Sequence, residues 1–224
     1  MSAIRPTKLE ALQRSIHSIE KTLQRRRESC HEKRFIDRLD RSRSWLVRSC
    51  QALSGDELEL GFICLWIAFS ALYGVAEEDD FYKGMQRFLP RILETHSAFK
   101  EQLIEELKRG NLRGLLNNPF LVKGNWSDGV YRSLHRKVSD WNRYDECLQH
   151  ENYQAAFYMI MGRIYVLRNQ LFHGCSTYSR GTNRGSLIPA IEAMIGICPC
   201  FWNIVESSPD VRGWGKLPFT RAER

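Results

Sequence analysis

The chain of 224 residues predicts an all-α protein. Three observations carry that prediction. Apolar residues recur at spacings of three and four over long stretches, few segments alternate with period two, and the Gly, Pro, Asn and Asp clusters that make turns fall between the helical stretches. With 43% hydrophobic residues the chain is long enough to bury one substantial core, and one domain is expected.

Leu9, Leu12, Ile16, Ile19 and Leu23 form one stripe of a helix expected from about Thr7 to Arg27, and a second helix follows from about His31 to Leu53. Ser54-Gly55-Asp56 is turn chemistry, and Asp56 is expected to cap a third helix. The apolar run of that third helix reaches Tyr73, with Gly74 as its stop, and reads as buried nearly all round. Residues 76–125 change character: acidic Glu77 to Asp80, Pro90, an amphipathic stretch from Phe99 to Lys108, and a loop-like segment from Gly110 to Asn125. This part reads as a helical or loop insertion, or a lid. Helical spacing resumes from about Ser127 through Tyr144 and again from about Asn152 through Phe172, where Gly174 offers the left-handed conformation that ends a helix. A closing helix capped by Thr182-Asn183 is expected to run to Ile197 or beyond, interrupted around Pro199, and the tail from Pro209 is expected to be irregular. The whole reads as a single domain over 1–224: N-terminal helices at 1–75, the insertion at 76–125, motif and closing helices at 126–206, and a tail at 207–224.

Composition narrows the function classes. Seven cysteines, with no C-x-x-C pair and no second pair to complement Cys198-Pro199-Cys200, support neither a disulfide framework nor a zinc site. No metal and no cofactor are expected, and a reducing cytoplasm is the expected location. The most continuous apolar run, Phe62 to Val75, is shorter than the roughly 20 residues of a membrane span, and the N-terminus lacks a signal-peptide core, so no membrane partner is expected. Charge is uneven. Residues 1–50 hold thirteen Lys and Arg against six Asp and Glu, while the remaining twenty of each sign cancel, so the formal excess of +7 sits at the N-terminal end. Such a balance suits a polyanionic partner, and equally a solvated helical face.

The stretch LRNQLFHG, residues 167–174, places an arginine, an asparagine and a histidine at the end of the apolar segment Phe157 to Leu167. The bare spacing R-x4-H is unspecific, since it also joins Arg26 to His31 and Arg91 to His96. Cations near a helix C-terminus are favoured by about 0.3–1 kcal/mol each, so the position alone has a structural explanation. The third occurrence differs by its apolar approach, by Asn169 directly after the arginine, and by its end on His173-Gly174.

R-N-Q-L-F-H-G resembles the R-N-x3-H motif of the HEPN superfamily, all-α proteins many of which are metal-independent ribonucleases of bacterial toxin–antitoxin and antiviral systems. FICLWIAFSALYG (62–74) is similar to the buried helix that precedes the motif helix in Apea-like HEPN proteins, and TNRGSL (182–187) to the start of their closing helix. Ser70 stands where that buried helix is expected to carry an asparagine. The resemblance covers about a third of the chain and implies a HEPN-like antiparallel helical bundle. It also implies an endoribonuclease acting on RNA, as a defence or toxin effector with an antitoxin or regulatory protein as a possible partner.

The residue types suit that chemistry. Cleaving RNA without a metal requires deprotonating the 2′-hydroxyl, stabilising charge on the phosphorane, and protonating the departing 5′-oxygen. His173 can move protons near neutral pH, and Arg168 can hold two phosphate oxygens in its planar fork. Asn169 reads as an orienting hydrogen-bond group. Residues five apart on an ideal helix lie about 140° apart around its axis, so Arg168 and His173 do not share a face. Either the helix distorts at its last turn beside Gly174, or two motifs face one another across a twofold axis. The resemblance implies the second, and a homodimer with a composite site is expected. Arg180, Arg184 and Arg26 are further substrate-binding candidates for neighbouring phosphates, while Trp66 and Phe69 read as core. The alternative function is a non-catalytic HEPN module that binds RNA, a nucleotide or a protein partner in the same pocket.

Overall fold

In a computed structural model the described residues are 4–29, 33–74, 83–86, 88–90, 97–109, 112–122, 140–173 and 184–207, and every regular element among them is helical. The principal helices are α1 (Pro6–Ser29), α2 (Lys33–Ser54), α3 (Leu58–Tyr73), α4 (Ser97–Arg109), the short α5 (Arg113–Leu116), α6 (Asp140–Gln149), α7 (Tyr153–Phe172) and α8 (Arg184–Ser207). Further helical turns lie at 83–86 and 88–90, and a 3-10 turn spans Pro119–Leu121.

α1 buries Leu12, Ile16, Ile19 and Leu23, the stripe its spacing predicts. It runs antiparallel to α2, as two cross-links show: Arg27 to Asp40 at 3.0 Å and Arg43 to Glu20 at 2.9 Å. α2 then folds back on α3 as a tight hairpin. Ser49 Oγ donates to the Gly61 carbonyl at 2.9 Å, and a Cβ on Gly61 would collide with Leu53, so glycine there lets the two backbones approach. At the other end of the hairpin Arg38, 2% exposed, donates to the carbonyls of Leu72 and Gly74 at 2.8 and 2.9 Å. Burial disfavours its charge, and the orphan carbonyls at the end of α3 offset that.

The α2–α3 turn corrects one expectation. Asp56 does not cap α3; it takes φ 60°, with Asp56 N–H donating to Leu53 and Glu57 N–H reaching back to Ala52. This is the left-handed C-terminal turn that closes α2, a conformation Asp tolerates better than most residues, and α3 begins after Glu57 without a side-chain cap. α3 does end at Tyr73, but Gly74 is extended (φ −60°, ψ 133°) and its conformational freedom is not used. No residue of α3 is fully exposed.

α8 is the axis of the fold. α1 lies parallel to it, joined by Arg5 to Glu192 near one end and Arg26 to Glu206 near the other. α4 runs antiparallel to it, with Glu106 against Gly196 and Gln102 against Cys200. Phe201 stacks among Phe69, Phe88 and Phe157, and Trp202 Nε1 donates to the Leu39 carbonyl at 3.1 Å. The helix continues through Pro199 where an interruption is expected. A proline costs about 3 kcal/mol inside a helix, but Cys198, Phe201, Trp202 and Val205 around it are all core residues, and their packing holds the backbone in register. The span Gly185–Ser207 is long and apolar enough to cross a membrane, a property the more continuous run of α3 hides in the sequence; 72% of its apolar window is buried against the other helices.

The described residues of 76–125 do not hang off this core. Met85, Phe88, Leu89, Leu103, Leu107, Leu112, Leu115, Leu116 and Leu121 all belong to the one buried cluster, so the described part of that segment is a wall of the core, not a lid over it. Asn118 caps the 3-10 turn by accepting from Phe120 N–H. The helix expected from Ser127 is described from Asp140 onward; its earlier part, Gly174, Thr182, Asn183 and the tail lie outside the described residues.

Candidate functional site

The motif helix α7 starts at Asn152, whose side chain accepts from Ala155 N–H at 3.1 Å, and carries Ala156, Phe157, Ile160, Met161, Ile164, Val166 and Leu167 into the core. A helix so enclosed must account for each polar side chain it carries. Arg163, 7% exposed, pairs with Asp140 and ties α7 to α6. Gln170 donates to the Phe120 carbonyl at 2.7 Å and fixes the 3-10 turn against α7. Both are structural anchors.

Arg168 is different. Its Nη1 donates to Asn169 Oδ1 at 2.9 Å, its guanidinium lies 4.1 Å over the ring of Phe172, and its Nε is buried with no hydrogen-bond partner. No carboxylate lies within ion-pair distance of it among the described residues. A buried donor left unsatisfied costs about 1–3 kcal/mol, so this arrangement does not maximise stability. Behind it stands the end of α3. The Tyr73 phenol is pushed well up by burial, eased by the Ser70 hydroxyl at 3.4 Å and by the positive charge of Arg168. Trp66 packs on Tyr165 with ring centroids 5.9 Å apart. Trp66 and Phe69 are core residues, 5% and 0% exposed, as expected. Ser70 is thus part of the wall behind the arginine, through Tyr73.

His173 is the C-cap of α7 and is exposed. Its N–H donates to the Asn169 carbonyl at 2.9 Å, the ordinary i to i−4 bond of an α-helix. The helix is therefore regular through Phe172, while His173 itself leaves it (φ −88°, ψ 8°), its N–H shared between the Asn169 and Leu171 carbonyls; an ideal helix sets residues five apart about 140° apart around its axis. One chain brings Arg168 and Asn169 together, and Asn169 and His173, four residues apart, lie on neighbouring turns of one helix face.

The other expected binding residues fare unequally. Arg26 donates through Nε to Glu206 at 2.6 Å and through Nη2 to the Glu206 carbonyl at 2.9 Å, so its fork is occupied within the chain, because α8 ends where α1 ends. Its neighbours are occupied too: Arg25 bonds to Lys21 and Thr22, and Arg27 to Asp40. Arg184 opens α8, with its side chain outside the described residues, and Arg180 lies wholly outside them. Among the described residues no three His, Cys, Asp or Glu side chains group as metal ligands. Cys198 and Cys200 are buried in α8, where burial pushes the Cys200 thiol up to about 12.

Sequence reading passed over Arg163 and Arg38. A charged residue inside the run Phe157 to Leu167 is a visible signal that a partner must exist. Arg38 leaves no such signal, since its partners are backbone carbonyls that only the fold delivers. Compared with protein-family models, with curated proteins and with solved structures, the chain matches none of them.

Proposed function

We propose that this protein is a metal-independent endoribonuclease of HEPN type, cutting RNA at a composite site formed by two copies of the motif, in the role of a bacterial defence or toxin effector. The observation that carries the reading is Arg168: a guanidinium fixed by Asn169 and Phe172, with a buried, unsatisfied Nε and no carboxylate at hand among the described residues, where the buried arginines Arg38 and Arg163 both have partners. Such a group is prepared for an anion, and a phosphodiester fits its planar fork. The R-N-x3-H resemblance supplies the chemistry. His173 removes the 2′-hydroxyl proton or protonates the 5′-oxygen; O2′ attacks phosphorus, the bond from phosphorus to O5′ breaks, and a 2′,3′-cyclic phosphate and a 5′-hydroxyl result. Arg168 holds the phosphorane charge and Asn169 holds Arg168. The helix that is regular through Phe172 supports two chains acting together, because residues five apart on such a helix lie about 140° apart around its axis.

The test is incubation of the purified protein with labelled total RNA and tRNA. Cleavage that survives EDTA, leaves 2′,3′-cyclic or 3′-phosphate ends and is blocked by a 2′-deoxy substitution at the cut supports the reading. EDTA-sensitive cutting, or cutting of DNA, overturns the mechanism. Saturable RNA or nucleotide binding without any product identifies the non-catalytic HEPN module instead.

A further inference from the structure

We infer that Phe172 is a base-stacking platform that gives the site its preference for unpaired RNA, an inference that rests on the ribonuclease reading. Among the described residues Trp45 and Phe172 are the exposed large apolar side chains, 38% and 48% exposed. Phe172 stands out because of its position. It is the last residue of α7, between Asn169 and His173, and the Arg168 guanidinium lies 4.1 Å from its ring centroid. Contact with the guanidinium and 48% exposure together leave ring surface open to solvent. A helix that buries Phe157, Ile160, Ile164 and Leu167 leaves its last aromatic outside that core, and a phenylalanine half in water contributes little to folding.

A nucleotide offers the matching pair of groups. Its phosphate needs a cation with open donors, and its base needs an aromatic face a short distance away. Arg168 supplies the first and Phe172 the second, already stacked together as one unit. Stacking of an unpaired base on an aromatic side chain is sequence-tolerant, because every base has a π-face, and a base held in a duplex cannot reach the ring. The cationic neighbour also sets the geometry: by pinning the ring from one side it presents the rest of the ring surface in a fixed orientation. Phe172 therefore selects single-stranded RNA and adds to binding, while Arg168 and His173 carry the chemical step.

The experiment is binding of fluorescent, non-cleavable 2′-fluoro RNA heptanucleotides in which one abasic residue is walked along the strand, measured by anisotropy on the dimer. Wild type should bind at least one abasic oligonucleotide about tenfold more weakly than the intact strand. Phe172→Leu, which keeps an apolar side chain under Arg168, should lose that discrimination, and Phe172→Trp should keep it. Equal binding of abasic and intact RNA by wild type overturns the inference while leaving the ribonuclease reading intact. An unchanged abasic penalty in Phe172→Leu overturns it as well. Weaker binding of every oligonucleotide alike, together with a raised dimer dissociation constant in Phe172→Leu, makes the ring a subunit contact and also overturns it. Absence of RNA binding by wild type fails the parent reading first, and this one with it.

Discussion

The basic N-terminal helices and the end of α7 invert what their sequences advertise. Residues 1–50 hold the entire formal excess of positive charge, yet Arg5, Lys8, Arg26, Arg27 and Arg43 each meet a carboxylate, three of them on α4 or α8 far along the chain. The last two turns of α7 carry far less charge, yet hold Arg168 with no carboxylate partner among the described residues and a donor left unsatisfied. Net charge per segment therefore does not show which cations lack a carboxylate; the pairing of each cation does. Burial sharpens the contrast within one helix. Arg163 and Arg168 are five residues apart on α7, and the first is closed by Asp140 while the second has no carboxylate partner among the described residues.

Replacing the residues on the open side should have the largest effect. Arg168→Ala and His173→Ala are each expected to lower RNA cleavage by at least about 100-fold, the scale of a lost charge-stabilising or proton-transferring group. His31→Ala and His96→Ala, at the two other occurrences of the same spacing, should leave it unchanged. Circular dichroism must show the variants folded, since Arg168 also rests on Phe172. Equal loss in all four, or in none, would dissolve the distinction between the regions.

On the closed side the expected effect falls on stability instead. Asp140→Asn leaves Arg163 buried beside a neutral amide, and with Asp140 about a third exposed the loss should be about 2 kcal/mol, below the usual figure for a fully buried pair. Thermal denaturation reads it, and cleavage per folded molecule should not change. The smallest effect is expected at the N-terminal end: Arg26→Ala should cost about 1 kcal/mol or less and should weaken RNA binding much less than Arg168→Ala does. A strong loss of RNA affinity in Arg26→Ala would restore the basic helices as part of the binding track.

Much of the fold was legible because helical period and burial coincide: the stripe of α1, the enclosed α3 and the extent of α7 follow from apolar spacing alone. What escaped depends on tertiary partners. Pro199 reads as a break until the core around it is known, and Asp56 reads as a cap until the left-handed turn after α2 takes it. Residues 76–125 read as an insertion or lid because their leucines are diluted by charge, although the described leucines among them line the common core. At the candidate site, Arg168, Asn169 and His173 stand together in the sequence, but a five-residue spacing on a regular helix sets Arg168 and His173 about 140° apart around the axis.

That last point gives the most direct test. Wild-type protein is mixed in varying proportion, at constant total protein and under conditions of subunit exchange, with a variant carrying both Arg168→Ala and His173→Ala, and RNA cleavage is followed against the wild-type fraction. A mixed dimer then lacks either the arginine or the histidine at every composite site, whichever chain supplies which group. The account predicts activity that falls as the square of the wild-type fraction. Activity that falls linearly with that fraction would contradict it, since each chain would then cut RNA with its own Arg168 and His173.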